Sequence, residues 1–345
     1  MARGGGPTPT GDGRVRRVRV LTIGGTRFFG RAFVEEAVRR GHDVTVFHRG
    51  GSESSDLPSV EHVHGDRKAG VETLRGQSWD AVLDTCAFVP REVRELADTI
   101  GDAIGHYTLV SSLSVHPDDL PVGATEDTPI HAPPYPDTED VTEETYGPLK
   151  VASEVEAAAR FDDRLLVIRP GYIVGPHDPT DRFTWWVRRA AAGGEMLAAG
   201  PPDAPIQGID ARDLGAFVLD RVEARDSTTY GVVGPAEPAT TADVVDGARN
   251  AAGADTSFVW VDPAFVRALG EIHETWFPMW HPHQPGFHTY DAAKATAAGL
   301  RPRPFDRTIA DTLAWDRDRG APPLAAGVPP DKEGELLDAW RARAS

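Results

Sequence analysis

Arg17-Val-Arg-Val-Leu-Thr-Ile23 runs directly into Gly24-Gly-Thr-Arg-Phe-Phe-Gly30, and beyond it Phe29, Phe33 and Ala37 recur at four-residue spacing until Gly41. The β-branched run predicts a strand, the paired glycines a tight turn, and the four-residue recurrence a helix with one apolar stripe. A second strand-like run, DVTVFH at 43–48, closes a β-turn-α-β unit. Working outward, short apolar runs at 60–64, 81–84, 106–111 and 165–169 alternate with helical sequence at 91–100 and 146–160. Such alternation predicts an α/β fold, a Rossmann-type doubly wound parallel sheet covered on both faces.

The expected organisation is a disordered tail over 1–16, a dinucleotide-binding domain over 17–175, and a mainly substrate-binding portion over 176–345. Within the last, helices are expected at 183–192, 211–225 and 241–252, and residues of about 206–234 are expected to return to the core. Between Val115 and Thr145 the chain is Pro-rich and acidic and holds no Lys or Arg, which predicts an exposed loop or lid.

Of the 345 residues, 40% are hydrophobic, enough for a substantial core, and no run is long and apolar enough for a bilayer. The Gly-, Pro- and Arg-rich opening lacks the apolar run of a secretory signal, and the single cysteine, Cys86, fits a reducing compartment, so a cytoplasmic location is expected. A formal net charge of −17 disfavours a general nucleic-acid surface. The expected partner is a small molecule, with neither nucleic acid nor membrane.

A dinucleotide pyrophosphate needs a backbone that approaches closely and a helix N-terminus whose free N–H groups favour anions. Gly24, Gly25 and Gly30 stand where those demands fall, although Arg27 replaces the middle glycine of the common frame. With further motifs in order, the chain resembles the extended and atypical short-chain dehydrogenase/reductases, the NAD-dependent epimerase/dehydratase group. Gly24–Gly30 is similar to that family's glycine turn, Gly65-Asp66-Arg67 to its adenine-contacting element, and Val110–Val115 to its serine strand. Tyr146-Gly-Pro-Leu-Lys150 is similar to its Y-x-x-x-K, and Arg169–Pro176 and Ile209–Asp213 to later segments, so the resemblance spans about residues 18–315.

The resemblance implies a catalytic group of Ser112, Tyr146 and Lys150, with Ser111 and Ser114 as alternatives for the serine. Tyrosine and lysine four apart share a helix face, and an adjacent ammonium is expected to lower the phenol's pKa. The dehydratases of the family carry an acidic pair after the serine position. Leu113 and Ser114 stand there instead, so water elimination lacks its acid and base. The cofactor is expected against Gly24, Gly25, Thr26, Arg27, Phe28, Phe29 and Gly30, against Asp66 and Arg67, and against Thr85, Cys86 and Ala87. Tyr146, Lys150, Pro170, Tyr172 and Ile173 complete that set.

Counting along the second strand, the place of the ribose-binding carboxylate falls at His48, followed by Arg49, whereas Asp43 precedes the strand. Arg27 and Arg49 suit a 2′-phosphate, so NADP(H) is expected over NAD(H). Phe88, Phe183, Trp186 and Gln207 are the substrate candidates, the aromatics having core packing as their alternative. His281, His283 and His288 lie among prolines without a completing ligand, so no metal is expected.

These readings lead to an NADPH-dependent reductase of a small-molecule carbonyl or imine. The alternatives are a nucleotide-sugar epimerase with tightly bound NAD, and a non-catalytic RNA-binding or cofactor-sensing protein. A homodimer is the assembly the resemblance implies.

Overall fold

The computed structural model describes residues 17–51, 57–133, 138–270, 275–281 and 284–343; the tail over 1–16 lies outside them. The strands are β1 (Arg19–Ile23), β2 (Asp43–His48), β3 (Glu61–His64), β4 (Ala81–Asp84), β5 (Tyr107–Val110) and β6 (Leu165–Pro170). After them come β7 (Ile173–Val174), β8 (Glu195–Ala199), β9 (Pro205–Ile206), β10 (Ile209–Asp210), β11 (Thr229–Val232), β12 (Ala239–Thr240) and β13 (Ser257–Val261). A seven-stranded sheet runs in the order β11-β6-β5-β4-β1-β2-β3, every pairing parallel.

Because both faces of the sheet are covered, its central strands are nearly continuous in apolar residues, and alternation decides which layer each one meets. Val20, Leu83 and Ile168 pack with Phe33, Leu214 and Phe217 on one side; Leu21, Val82 and Leu109 pack with Val93, Leu96 and Ala157 on the other. The first layer is α1 (Phe28–Arg39) with α5 (Ala211–Ala224), and the second is α2 (Pro90–Ile100) with α3 (Glu143–Phe161).

A second core is built from α4 (Arg182–Ala190), α6 (Thr241–Ala252), the β8–β13 pair and the helix Phe305–Asp318. Arg188 makes paired 2.6 Å contacts with Asp316, tying α4 to that helix. Arg212 is likewise committed to Asp210 and Asp311.

The acidic segment after Val115 is largely an exposed loop, as expected, but it is tied to the fold at several points. Gly123 N donates to Thr289 O at 3.0 Å, Asp291 N to Ala124 O at 2.8 Å, and Gly231 N to Glu126 Oε1 at 2.7 Å. Leu120 and Ala124 are buried among Leu113, Val233 and Tyr290, while Asp118 and Asp119 face solvent. Apolar residues spaced among the charges, with the inward-turned Glu126, therefore anchor the segment, and its other described carboxylates lie on the outer side.

Candidate functional site

In a parallel sheet the strands end at one edge, so the residues following β1, β2, β3, β4, β5 and β6 converge on a line. Gly24 has φ +95° and its N–H donates to Phe47 O at 3.0 Å; a Cβ there would lie 2.2 Å from Thr85 Oγ1. Gly30 is pressed against the backbone of Gly25, where a Cβ would meet N at 2.7 Å. The turn is thus bare backbone leading into α1, whose N-cap, Arg27, makes no side-chain cap bond. First-turn N–H groups without a cap suit a pyrophosphate, and these residues fit a dinucleotide.

Thr26 and Phe29 are buried at this turn, and Phe28 enters the helix at φ +44°. Thr85 Oγ1 donates to Ile23 O at 2.8 Å, which holds β4 to the end of β1. Cys86 sits beside it, its thiol raised by burial. Asp66 is exposed and accepts from Lys68 N at 3.0 Å, whereas Arg67 turns inward. Arg67 Nη2 lies 2.7 Å from Asp84 Oδ2 and donates to Glu92 O at 2.8 Å, so it is a buried structural ion-pair partner and not the cofactor contact expected. Tyr107 donates to the same Asp84 carboxylate at 2.8 Å.

Helix α3 is capped by Thr142, which accepts from Thr145 N, and it carries both Tyr146 and Lys150. Its entry is jammed against the serine turn: a Cβ on Gly147 would lie 2.0 Å from Ser114 O. That close approach brings the Tyr146 phenol near Ser112, whose hydroxyl favours the ionised phenol. Ser112 Oγ lies 3.1 Å from Ser114 Oγ and accepts from Ser114 N at 3.0 Å. Farther along, the buried Arg169–Glu154 pair, at 2.9 and 2.6 Å, clamps α3 to β6.

Lys150 is fully buried and donates to Ala87 O at 2.8 Å and Val110 O at 3.0 Å, bridging the ends of β4 and β5. Burial is the main cause of its low pKa, about 8, with Asp84 working against it. Its ammonium lies 4.8 Å from the Phe88 ring centroid and 5.8 Å from that of Tyr146. The phenol is not lowered as expected. Burial raises it, opposed by the Ser112 hydroxyl and Arg182, because the ammonium is turned toward two carbonyls.

A cavity of about 450 Å³ opens on Tyr146, lined also by Ser114, His116, His131, Glu143 and Tyr172. Its far wall comes from distant sequence, His281, Gln284 and Phe287. Tyr172, expected at the cofactor, belongs to this wall: its ring stacks on His281 and His288, its hydroxyl contacts His281 Nε2, and Arg182 lies 4.8 Å from its centroid. Pro170 is buried at the end of β6, and Ile173 pairs with Ile209 in the β7–β10 ladder.

Phe88 is exposed beside Tyr146, with ring centroids 6.5 Å apart. Phe183 and Trp186 do not reach the substrate side; both are sealed in the second core, where Trp186 Nε1 donates to Pro278 O at 2.7 Å. Apolar spacing in α4 marked a buried face, and no spacing rule separates a core face from a pocket face. Gln207 is also structural, its amide exchanging two 3.0 Å bonds with the backbone of Tyr290. His288 accepts from Gln207 N and bonds Met279 O, so its ring is committed to backbone, while His283 lies outside the described residues.

A Rossmann-type sheet, an uncapped helix behind a glycine turn and a Ser-Tyr-Lys group at one strand edge define a dinucleotide-binding protein of the short-chain dehydrogenase type. The chain belongs to the NAD dependent epimerase/dehydratase family, whose model matches residues 20–229. Its fold is similar to UDP-glucuronic acid 4-epimerase from Bacillus cereus in complex with NAD, at TM-score 0.66 and 12% identity over 87% of this chain and 99% of that one. UDP-N-acetylglucosamine 4-epimerase from the same organism gives TM-score 0.62 and 16% identity, covering 86% and 99%. The chloroplast stem-loop binding protein of 41 kDa b from Arabidopsis thaliana is 27% identical over 57% of this chain and 51% of that protein. The chain thus spans about half the length of that relative.

Proposed function

We propose that this protein is a dinucleotide-dependent epimerase of a hydroxylated small molecule, in the manner of the nucleotide-sugar epimerases it resembles in fold. The observation that carries this reading is the cavity at Tyr146, lined by Ser114, whose hydroxyl lies 3.1 Å from that of Ser112. A nicotinamide, when bound, supplies reversible hydride transfer.

The protein's own part is a proton relay. Burial raises the phenol, so Tyr146 rests protonated at neutral pH and must lose its proton to solvent before the cycle. The phenolate would then take the proton of the substrate hydroxyl as its carbon is oxidised, and the phenol would return that proton to the carbonyl oxygen as the carbon is reduced again. Ser112 donates to or accepts from the phenol as its protonation changes. Lys150 positions the strand ends and keeps positive charge beneath the site below about pH 8. Leu113 and Ser114 stand where the family's dehydratases carry their acidic pair, which favours inversion over elimination of water, although Asp118, Glu143 and Glu144 line the same cavity.

A second reading, an NADPH-dependent reductase of a carbonyl or imine, draws on the missing carboxylate at the end of β2 and on Arg27 and Arg49, both exposed there. The two readings separate on one preparation. Denatured protein is assayed by mass spectrometry for released nucleotide, and native protein is incubated with UDP-glucose as probe and followed by proton NMR. Stoichiometric retained dinucleotide with inversion and no net redox supports the epimerase. An empty site that binds NADPH and consumes it on a carbonyl panel supports the reductase, and failure to bind any dinucleotide overturns both.

A further inference from the structure

Two opposite charges lie buried near Tyr146 with only backbone to hold them. Lys150 donates to Ala87 O at 2.8 Å and Val110 O at 3.0 Å, whereas Glu92, in the first turn of α2, accepts from Phe88 N at 2.8 Å and Val89 N at 3.3 Å. Among the described residues neither is paired with an opposite charge.

Ala87 O and Phe88 N belong to one peptide unit. A trans peptide turns its C=O and its N–H to opposite sides, so this unit meets the ammonium with its carbonyl and the carboxylate with its N–H. Hydrogen bonds to ionised groups are the stronger kind, and bonds in a chain polarise one another. Asp84 steadies the same turn, accepting from Cys86 N at 3.1 Å, but its charge is already met by Arg67. The Phe88 side chain leaves that peptide toward the site, its ring 4.8 Å from the Lys150 ammonium.

We propose that Glu92 is a positioning residue of the site, acting through the Ala87–Phe88 peptide: it turns that carbonyl onto Lys150 and so fixes the ammonium beneath Tyr146. The inference rests on the reading of Tyr146 as the proton-transfer group and is independent of whether the reaction is epimerisation or reduction. Burial lowers Lys150 to about 8, opposed by Asp84, Cys86 and Glu92, with Arg67 adding to the lowering, so the positive charge is present below that pH and lost above it. Cys86, and Tyr146 one turn earlier on α3, are raised by burial and stay neutral there. Glu92 also occupies the third position of α2, where it caps the helix. Glutamine caps as well as glutamate does, whereas the link to Lys150 needs the charge.

The chain has four lysines, of which Lys68, Lys294 and Lys332 are solvent-accessible, so NMR of [13C]lysine-labelled full-length protein isolates Lys150, assigned by its absence from Lys150→Arg. The expected midpoint is near pH 8 in the natural protein and about 0.5–1 pH unit lower in Glu92→Gln, because an opposite charge favouring the ammonium is gone. The break in the turnover profile at the Lys150 midpoint should move with it. In the natural protein the Phe88 amide proton should titrate with the same midpoint as the ammonium. A folded Glu92→Gln variant with an unmoved Lys150 overturns the proposal and leaves Glu92 a helix cap. A Phe88 amide indifferent to the Lys150 titration overturns it as well, however the variant folds. Failure to bind any dinucleotide overturns the functional reading alone, since neither titration requires nucleotide.

Discussion

The parallel sheet and the C-terminal core both bury most of their apolar residues, yet they serve the site in opposite ways. Every strand from β1 to β6 hands a residue to one edge: Gly24, Arg49, Asp66, Thr85, Ser112 and Pro170 each fall at or just beyond a strand end. The C-terminal core instead closes on itself, with Phe183, Trp185, Trp186 and Phe277 packed together and Trp186 bonded to a carbonyl inside. It meets the cavity through His281, Gln284 and Phe287. Regular parallel geometry delivers chemistry wherever strands stop, whereas an irregular core delivers only what its loops happen to present.

The sharpest way to break this contrast is at the edge itself. Tyr146→Phe is expected to lower turnover by about 10²- to 10⁴-fold while dinucleotide affinity stays within about twofold, since the ring is kept and only the proton is lost. Steady-state rates alongside fluorescence titration read both. An equal loss in both quantities would place Tyr146 in binding and not in proton transfer.

In the second core, Trp186→Ala should cost about 3–5 kcal/mol of stability, read as the shift in denaturation midpoint, because a large buried ring is removed where Pro278 O loses its donor. A variant that remains folded should still bind dinucleotide. Loss of binding without loss of stability would show that Trp186 reaches the site after all.

His288 sharpens the comparison at the junction between the two. Burial lowers its pKa to about 4. The unfolded chain therefore takes up a proton near pH 6.5 that the folded chain refuses, and stability present above that pH is lost as pH falls toward 4. The contribution is on the order of 3 kcal/mol. Denaturant unfolding at pH 7 and pH 4.5 checks it, and His288→Gln should flatten the slope. The smallest effect expected is that of Gln207→Ala, about 1–2 kcal/mol from two lost bonds to Tyr290, with dinucleotide affinity unchanged.

Much of the site's frame was legible because its signals are local. Glycines at Gly24 and Gly30, a four-residue step from Tyr146 to Lys150 and a serine at the end of an apolar run each need only a few neighbours to be read. Arg67 misled for the same reason: it follows Asp66 in a familiar triplet, but Asp84, seventeen positions away, captures its side chain. Tyr146 and Lys150 do share α3, but the phenol is raised and not lowered. Helix spacing does not show that Ala87 O and Val110 O claim the ammonium. Gly147, at the opening of α3, is the residue in the sequence that marks the close approach to Ser114 O.

The amino-acid sequence by itself determined the order of strands and helices, the glycine turn and the spacing of the Ser-Tyr-Lys group, because hydrophobic period and turn chemistry act over a few residues. Tertiary structure alone decided which aromatics face a cavity, which arginines are free to meet an anion and where the acidic segment lies. It also set Glu92 and Lys150 on either side of the Ala87–Phe88 peptide. Those outcomes depend on burial and pairing between residues far apart in the chain, where the cost of leaving a charge or a polar group unpartnered selects one neighbour from many.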